Sequence, residues 1–266
     1  MQLPSELETA GYRLLSLPET LSTNDDAARA AREGDPGRLW IVAGAQRQGR
    51  GRQGRVWSSP PGNFYASLLL VEPCEPARAP QLGFLAGLAL HEAVSRLTGL
   101  AAPRLALKWP NDLLLDSAKV AGILLEAQSA PALSAVVGFG VNVAFHPPDT
   151  PYRSAALKEF APAVSAATLF GELARTFARR FEAWQSALKR GTADAFRPVL
   201  DEWLACAAGL GSPIRIRLPA GERDGLFAGL DPAGRLQLQT ATGLELIDAG
   251  DLYFPTLQKD AASAAR

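Results

Sequence analysis

The chain has 266 residues, 47% of them apolar and 20% charged, and its 27 basic side chains are balanced by 27 acidic ones. That profile fits an ordinary globular protein built from one large domain, or from a large one and a small one. A formal charge of zero excludes a general attraction to nucleic acid or to an anionic membrane, so any basic site must be local.

The first stretch, MQLPSELETAGYRLLSL, has no basic region followed by an apolar one, and no secretory signal is expected. Tyr12 to Leu17 reads as a strand. Ser22-Thr23 ahead of Asn24-Asp25-Asp26 reads as a capped helix start with acids in its first turn. Leu39 to Ala43 is a second strand, and the loop QRQGRGRQGRVW (46–57) follows. Phe64 to Val71 is a mostly apolar strand, either core or interface, ended by Glu72-Pro73.

Pro80 to Leu97 spaces Leu82, Leu85, Ala86, Ala89, Ala93 and Leu97 as a helix does. Three β-like runs come next, Leu105 to Trp109, Leu113 to Leu115 and Val120 to Glu126, and a fourth spans Ala132 to Val143. The breakers Pro147, Pro148 and Asp149 make His146 to Thr150 a loop. Ala167 to Lys189 is an amphipathic helix with Leu169, Leu173, Phe177, Phe181, Trp184 and Leu188 on one face, and a further helix ends near Ala208. From Ser212 to Phe254 short alternating runs are broken by turn residues, which describes a small all-β unit. We divide the chain near Leu210, into 1–210 and 211–257, and read 258–266 as a frayed tail.

Cys74 and Cys206 are read as reduced thiols of a cytoplasmic protein. No apolar run reaches the roughly 18 residues that span a bilayer. His91 and His146 lack metal-ligand spacing, so no metal site is expected.

Gly49-Arg50-Gly51-Arg52-Gln53-Gly54 spells the dinucleotide-binding pattern G-x-G-x-x-G. That site needs a helix opening at the third glycine. Arg-Val-Trp-Ser-Ser-Pro-Pro-Gly follows instead and cannot open one. A solvated loop would explain the glycines but not four arginines between 47 and 55. The remaining reading is a loop that orders over an anion: glycines allow close approach, and guanidinium forks grip carboxylate and phosphate. Trp57 alone offers base stacking, so a small phosphorylated ligand fits better than nucleic acid.

Lys108-Trp109-Pro110-Asn111-Asp112 breaks two apolar runs, which a plain β-turn with edge charges would also explain. However, Lys119 stands at the mouth of the next apolar run. Gly122, Gly138 and Gly140 leave room beside the backbone there, and Ser22-Thr23-Asn24 offers short polar groups. Together they suggest a ligand slot.

These stretches in this order resemble the biotin protein ligases. The matching residues are Ser22-Thr23-Asn24; Gln46 with Gly49 to Arg55 and Trp57; Lys108 to Asp112; Lys119 to Leu124; Gly138 to Asn142; and, near the C-terminus, Gly225 to Asp231 with Gly234 and Leu236. Arg47 and Gln48 depart from the family pattern, and Ser154 to Leu157 is a loose match to its adenine-side loop. The resemblance covers about residues 12 to 255.

It implies an α+β fold: a mixed β-sheet with helices, of the class II aminoacyl-tRNA synthetase/biotin ligase type, plus a small C-terminal SH3-like barrel. No N-terminal DNA-binding domain is expected before Ser22, and no DNA-binding role. The implied activity uses ATP to activate biotin as biotinyl-5′-AMP and transfers biotin to one lysine of a biotin carboxyl carrier domain. Mg²⁺ arrives with ATP. A homodimer is left open.

The resemblance assigns Lys119 to the biotin carboxyl and α-phosphate, with Arg52 sharing that duty and closing the loop. Asp112 orients either the acceptor amine or a Mg²⁺-bound phosphate. Biotin contacts fall to Ser22, Thr23, Asn24, Gln46, Arg50, Gly51, Arg52, Lys119, Gly122, Gly138 and Gly140. ATP contacts fall to Arg50, Arg52, Arg55, Trp57, Asn111, Lys119 and Asn142. The alternatives are a lipoate or octanoate ligase or transferase of related fold, and a non-catalytic nucleotide- or RNA-binding module.

Overall fold

Leu39–Ala43 and Phe64–Val71 are apolar at nearly every position, without alternation. A strand of that kind is stable only with both faces covered. The computed structural model, which describes residues 1–129, 132–192, 194–219 and 221–254, places both in the interior of one sheet. Helix α1 (Ser5–Thr9), which the sequence reading did not foresee, leads into β1 (Arg13–Leu17), α2 (Thr23–Arg32), β2 (Leu39–Ala43) and β3 (Phe64–Val71). Helix α3 (Gln81–Thr98) precedes β4 (Leu105–Lys108), β5 (Asp112–Leu115), β6 (Ala118–Gln128) and β7 (Ser134–Val141). Strand β7 is shorter than the run from 132 to 143, since Asn142 leaves the ladder.

The sheet has seven strands in the order β1-β2-β3-β7-β6-β5-β4. Strands β1 and β2 are parallel and every other neighbour pair is antiparallel. The sheet is therefore mixed, as expected. Strand β3 is hydrogen-bonded on both edges and buried on both faces, so of the two readings, core or interface, it is core.

Ala27 of α2 packs with Leu39, Ile41, Leu69 and Val136 on one face. On the other face α3 and α4 (Ala166–Lys189) cover the sheet, and Trp40 meets Phe170 and Phe177 edge-on at 5.6 and 6.2 Å. Helix α2 starts at Ser22, whose hydroxyl accepts from Asp25 N at 3.4 Å, and α4 starts at Ser165 in a reciprocal cap with Thr168.

After α5 (Arg197–Ala205) come β8 (Pro213–Leu218), β9 (Gly221–Leu230), β10 (Leu236–Thr240), β11 (Gly243–Ile247) and β12 (Asp251–Tyr253). They form a five-stranded antiparallel sheet, β11-β10-β9-β8-β12, as the alternating runs predicted. Its inner residues Ile214, Ile216, Phe227, Leu236 and Leu238 join the main core. Trp109 Nε1 donates to Gly234 O across the junction at 3.3 Å. The tail read as frayed, 258–266, lies outside the described residues.

Candidate active site

One row crosses the large sheet in register: Lys108 opposite Asp112, Asp112 opposite Gly122, Gly122 opposite Gly140, Gly140 opposite Tyr65. Side chains in such a row share a face, because strand side chains alternate with period two. Gly138 and Gly140 lie on the same face of β7 as Val136, the face covered by α2. The helix therefore covers one end of this face, and a cavity opens where glycines replace valine.

Strict alternation from Gly122 would aim Lys119 at the opposite face. A bulge prevents this: Leu113 pairs with Ala121 but Leu114 pairs with Lys119, so Val120 is the extra residue. An extra residue switches the alternation, and Lys119 joins Asp112 and Gly122 on the cavity side. Its Nζ lies 2.6 Å from Asp112 Oδ1, and Lys108 Nζ lies 3.2 Å from Oδ2. Burial pushes the Asp112 pKa up, but the ammonium groups of Lys119 and Lys108 outweigh it and hold the carboxyl below the usual carboxylate range. The rings of Trp57 and Tyr152 both stand 5.4 Å from Lys119 Nζ.

The glycine-arginine segment is a tight hairpin. Arg50 bridges Val56, Trp57 N donates to Gly49 O, and Gly51 N donates to Arg55 O. Only glycine fits at 49, where a Cβ would meet Ser59 Oγ at 2.5 Å and Trp57 O at 2.7 Å. The arginines are all engaged. Arg50 grips Asp25 at 2.6 Å and Glu126 at 3.2 Å, and these carboxylates, Asp25 first, raise its pKa against the opposing effect of burial. Arg52 donates to Gly250 O at 3.2 Å and Asn111 Oδ1 at 3.4 Å. Burial lowers its pKa, opposed by the Asp251 and Asp112 carboxylates. Arg55 pairs with Asp251 at 2.8 Å. Of the two positions that depart from the family pattern, Arg47 pairs with Glu19 at 2.9 Å, and Gln48 donates its backbone N–H to Leu21 O.

A polar cluster forms the other end of the cavity. Gln46 Oε1 accepts from Thr23 N at 2.9 Å and Thr23 Oγ1 at 3.1 Å, while its Nε2 donates to Ser59 Oγ. Ser67 Oγ bridges Thr23 and Asn24, and Asn24 Nδ2 donates to Glu126 at 2.6 Å. Ser22 Oγ accepts from Arg50 at 3.3 Å as well as from Asp25 N at 3.4 Å.

Arg52 and Lys119 thus line one cavity, with Ser22, Thr23, Asn24, Gln46, Arg50, Gly51, Arg55, Trp57, Asn111, Asp112, Gly122, Gly138 and Gly140. Asn142 does not join them. It is buried outside the lining, and its Nδ2 donates to Ala155 O at 3.3 Å. It holds the segment after Ser154 beside β6 rather than facing the cavity. The glycines also serve differently from the reading as space for a ligand. A Cβ at Gly140 would strike the Trp57 indole at 2.6 Å, and one at Gly138 would collide with Asn24 Oδ1. They make room for these two side chains, which in turn wall the cavity. Buried Trp57 Nε1 has no hydrogen-bond partner among the described residues.

Residues 19–142 match the Biotin/lipoate A/B protein ligase family, and residues 209–254 match the Biotin protein ligase C terminal domain. The chain is 42% identical over 246 residues to the biotin--[acetyl-CoA-carboxylase] ligase of Paracoccus denitrificans, covering 90% of this chain and 99% of that protein. The chain belongs to the biotin protein ligase family. The bifunctional ligase/repressor BirA of Bacillus subtilis is 30% identical over 256 residues, which span 92% of this chain and 75% of the repressor. A biotin protein ligase from Aquifex aeolicus in complex with biotin and ATP is 26% identical, with a TM-score of 0.76 over 91% of this chain and 97% of that one.

The sequence reading of this ligase did not place Lys108, Ser67, Glu126, Tyr152 or Asp251 in the site. Lys108 had a signal, since a lysine and an aspartate flanking a two-strand turn face each other once the hairpin closes. Ser67 sits within an apolar strand, Glu126 ends the run that holds Gly122 but its partners Asn24 and Arg50 are 102 and 76 positions away, Tyr152 is remote in sequence, and Asp251 comes from the second sheet.

Proposed function

We propose that this cavity holds biotin and ATP together, with its polar end on the vitamin's ureido head and its cationic end on the phosphates. The chain is an ATP-dependent biotin ligase. Biotin's carboxylate oxygen attacks the α-phosphorus, the bond to the β-phosphate oxygen breaks, and pyrophosphate leaves with biotinyl-5′-AMP formed. A lysine amine of a biotin carboxyl carrier domain then attacks the acyl carbon, loses a proton, and AMP leaves.

Bringing two anions together is opposed by repulsion that grows as water is excluded. Lys119, fixed by its bulge and by Asp112, sits where it would neutralise the carboxylate and α-phosphate oxygens, stabilising charge that develops in the transition state. Arg52 adds a second cation from the hairpin, and Asn111 an amide beside it. Asp112, ionised between two lysines, holds both ammonium groups in place and is the carboxylate on hand for the acceptor amine. At the other end Ser22, Thr23 and Gln46 are oriented by their own hydrogen bonds to meet the ureido group, and Trp57 forms an apolar wall.

Mg²⁺ enters as part of the ATP substrate, where it would offset phosphate charge. Asp112 is already engaged by two ammonium groups, which favours delivery on the nucleotide.

The observation that carries this reading is the meeting of Lys119 and Arg52, 67 positions apart in sequence, around one cavity. The direct test is incubation with biotin, MgATP and a carrier domain, followed by intact mass. One added biotinyl group on one lysine is expected. An unmodified carrier with no pyrophosphate released would overturn the reading.

The same proposal includes the division near Leu210 and a cytoplasmic location. Two free cysteines support that location, and among the described residues no helix is long and apolar enough to cross a membrane. It includes a homodimer too, for which β1 offers an outer edge of the sheet that pairs with no other strand among the described residues, with Leu15 exposed.

A further inference from the structure

The hairpin carrying Arg50, Arg52 and Arg55 is anchored on two sides. Arg50 ties one flank to Asp25 and Glu126, both on the large sheet and its helix. The other flank is tied chiefly across the junction, Arg55 to Asp251 at 2.8 Å and Arg52 to the Gly250 carbonyl at 3.2 Å, with one longer bond from Arg52 to Asn111 at 3.4 Å on the large domain. Gly250 immediately precedes β12 and Asp251 is its first residue, and Asp251, Leu252 and Tyr253 line the cavity.

This anchor is itself firmly placed. A Cβ on Gly250 would meet Ile216 Cγ2 at 2.7 Å and Arg217 O at 3.2 Å, so the turn is pressed against β8. Asp251 pairs with Arg217 in the ladder, and Leu252 is buried beneath it. The Asp251 side chain is only 16% exposed, whereas Arg55 is 52% exposed. The fixed partner is thus the carboxylate of the small sheet, and the arginine on the hairpin docks onto it. The pair does not touch Asp112 or Lys119, whose bonds lie within the large sheet.

We infer that Asp251 is a positioning residue that latches the glycine-arginine hairpin over the cavity, so that the small C-terminal sheet governs how long the activated intermediate is held. The inference rests on the site reading given above. It assigns the second sheet a task in the reaction: retention of biotinyl-AMP between the two steps, through a bond that can open for an acceptor lysine. Keeping the hairpin shut also keeps water from the mixed anhydride.

The test uses the full-length chain loaded with biotinyl-AMP, and follows its release. Asp251→Asn is expected to release it about two- to fivefold faster, the range that a partly exposed ion pair commands. Asp251→Glu should restore slow release. Raising salt from about 0.05 M to about 0.5 M should close the gap between Asp251→Asn and wild type, because screening weakens the same bond in wild type. Arg55→Gln, on the exposed hairpin, should reproduce the effect, and the double variant should be no worse than either single one, as for two halves of one interaction. Equal release from wild type and Asp251→Asn, a gap that ignores salt, or additive single effects would each overturn the latch. A wild-type chain that makes no biotinyl-AMP would overturn both this inference and the site reading. One that makes and holds it, with Asp251→Asn holding it as well, would overturn the latch alone.

Discussion

The cavity has two kinds of cationic wall, and they are built on opposite plans. On the strand side, Lys108 of β4 and Lys119 of β6 flank β5 and share its carboxylate, Asp112; both are mostly buried, and their positions are set by sheet register and a bulge. On the hairpin side, Arg50, Arg52 and Arg55 project from a glycine-rich turn, and their partners lie on α2, β6, the turn before β5 and the start of β12. The strand cations rise from backbone fixed in the sheet, whereas the hairpin cations are held by partly exposed ion pairs, which on the proposal above release to let the hairpin open. A ligase that must first stabilise charge and then open to a protein substrate can use both plans. The fixed cations suit the chemical step, and the movable ones suit retention and release.

The sharpest way to break that comparison is to delete a fixed cation. Lys119→Ala should slow adenylate formation by about 10²- to 10³-fold, the scale seen when one preorganised charge-stabilising donor is removed. The measurement is pyrophosphate release at saturating biotin and ATP. Raising salt should change the loss little, because the group is shielded from solvent. A variant that releases pyrophosphate at the wild-type rate would remove Lys119 from the chemistry.

The next largest effect is expected on the hairpin, and chiefly in a different step. Arg52→Ala should slow biotinyl-AMP formation, as loss of the second cation requires, but by less than Lys119→Ala does, and should lose the adenylate about tenfold faster, since a bond from a charged donor is worth roughly 1.5–3 kcal/mol and Arg52 also donates to Gly250. Release of labelled adenylate into a chase of unlabelled biotin reads it directly. If Arg52→Ala instead blocked formation as strongly as Lys119→Ala, the division between fixed and movable cations would fail.

Most of the large sheet was legible because its strands are apolar runs closed by breakers. Leu39–Ala43 and Phe64–Val71 have the bounds expected for them. The cavity's membership was also largely legible, since its residues cluster in a few short segments. What escaped depends on register. The bulge at Val120 cannot be read from Lys119-Val120-Ala121-Gly122, yet it decides which face Lys119 occupies. Glycines at 138 and 140 read as space, but which side chain fills that space depends on where α2 and the hairpin come to rest. Asn142 stands in the same run of small and polar residues, yet faces the Ala155 backbone because β7 has ended by then. Asp251 lies 196 positions from its partner, beyond any local pattern.

The smallest effect in the neutral range concerns the anion between the fixed cations. Burial raises the Asp112 pKa and the two lysines lower it by more, so the net folded value lies below the unfolded one. A carboxylate with a depressed folded pKa contributes stability above its unfolded pKa of about 3.9 and loses it as pH falls through the folded value. From pH 8 to 5, Asp112 is ionised in both states and adds no slope. The difference in melting temperature between wild type and Asp112→Asn should therefore stay constant over that interval, then narrow below about pH 4 as wild type takes up its proton. Thermal melts across this range at fixed ionic strength check the claim. A difference that already shrinks between pH 7 and 5 would mean that burial dominates and Asp112 titrates high. The lysines would then be held by a neutral carboxyl, and the strand side would no longer be the pre-charged, fixed half of the cavity.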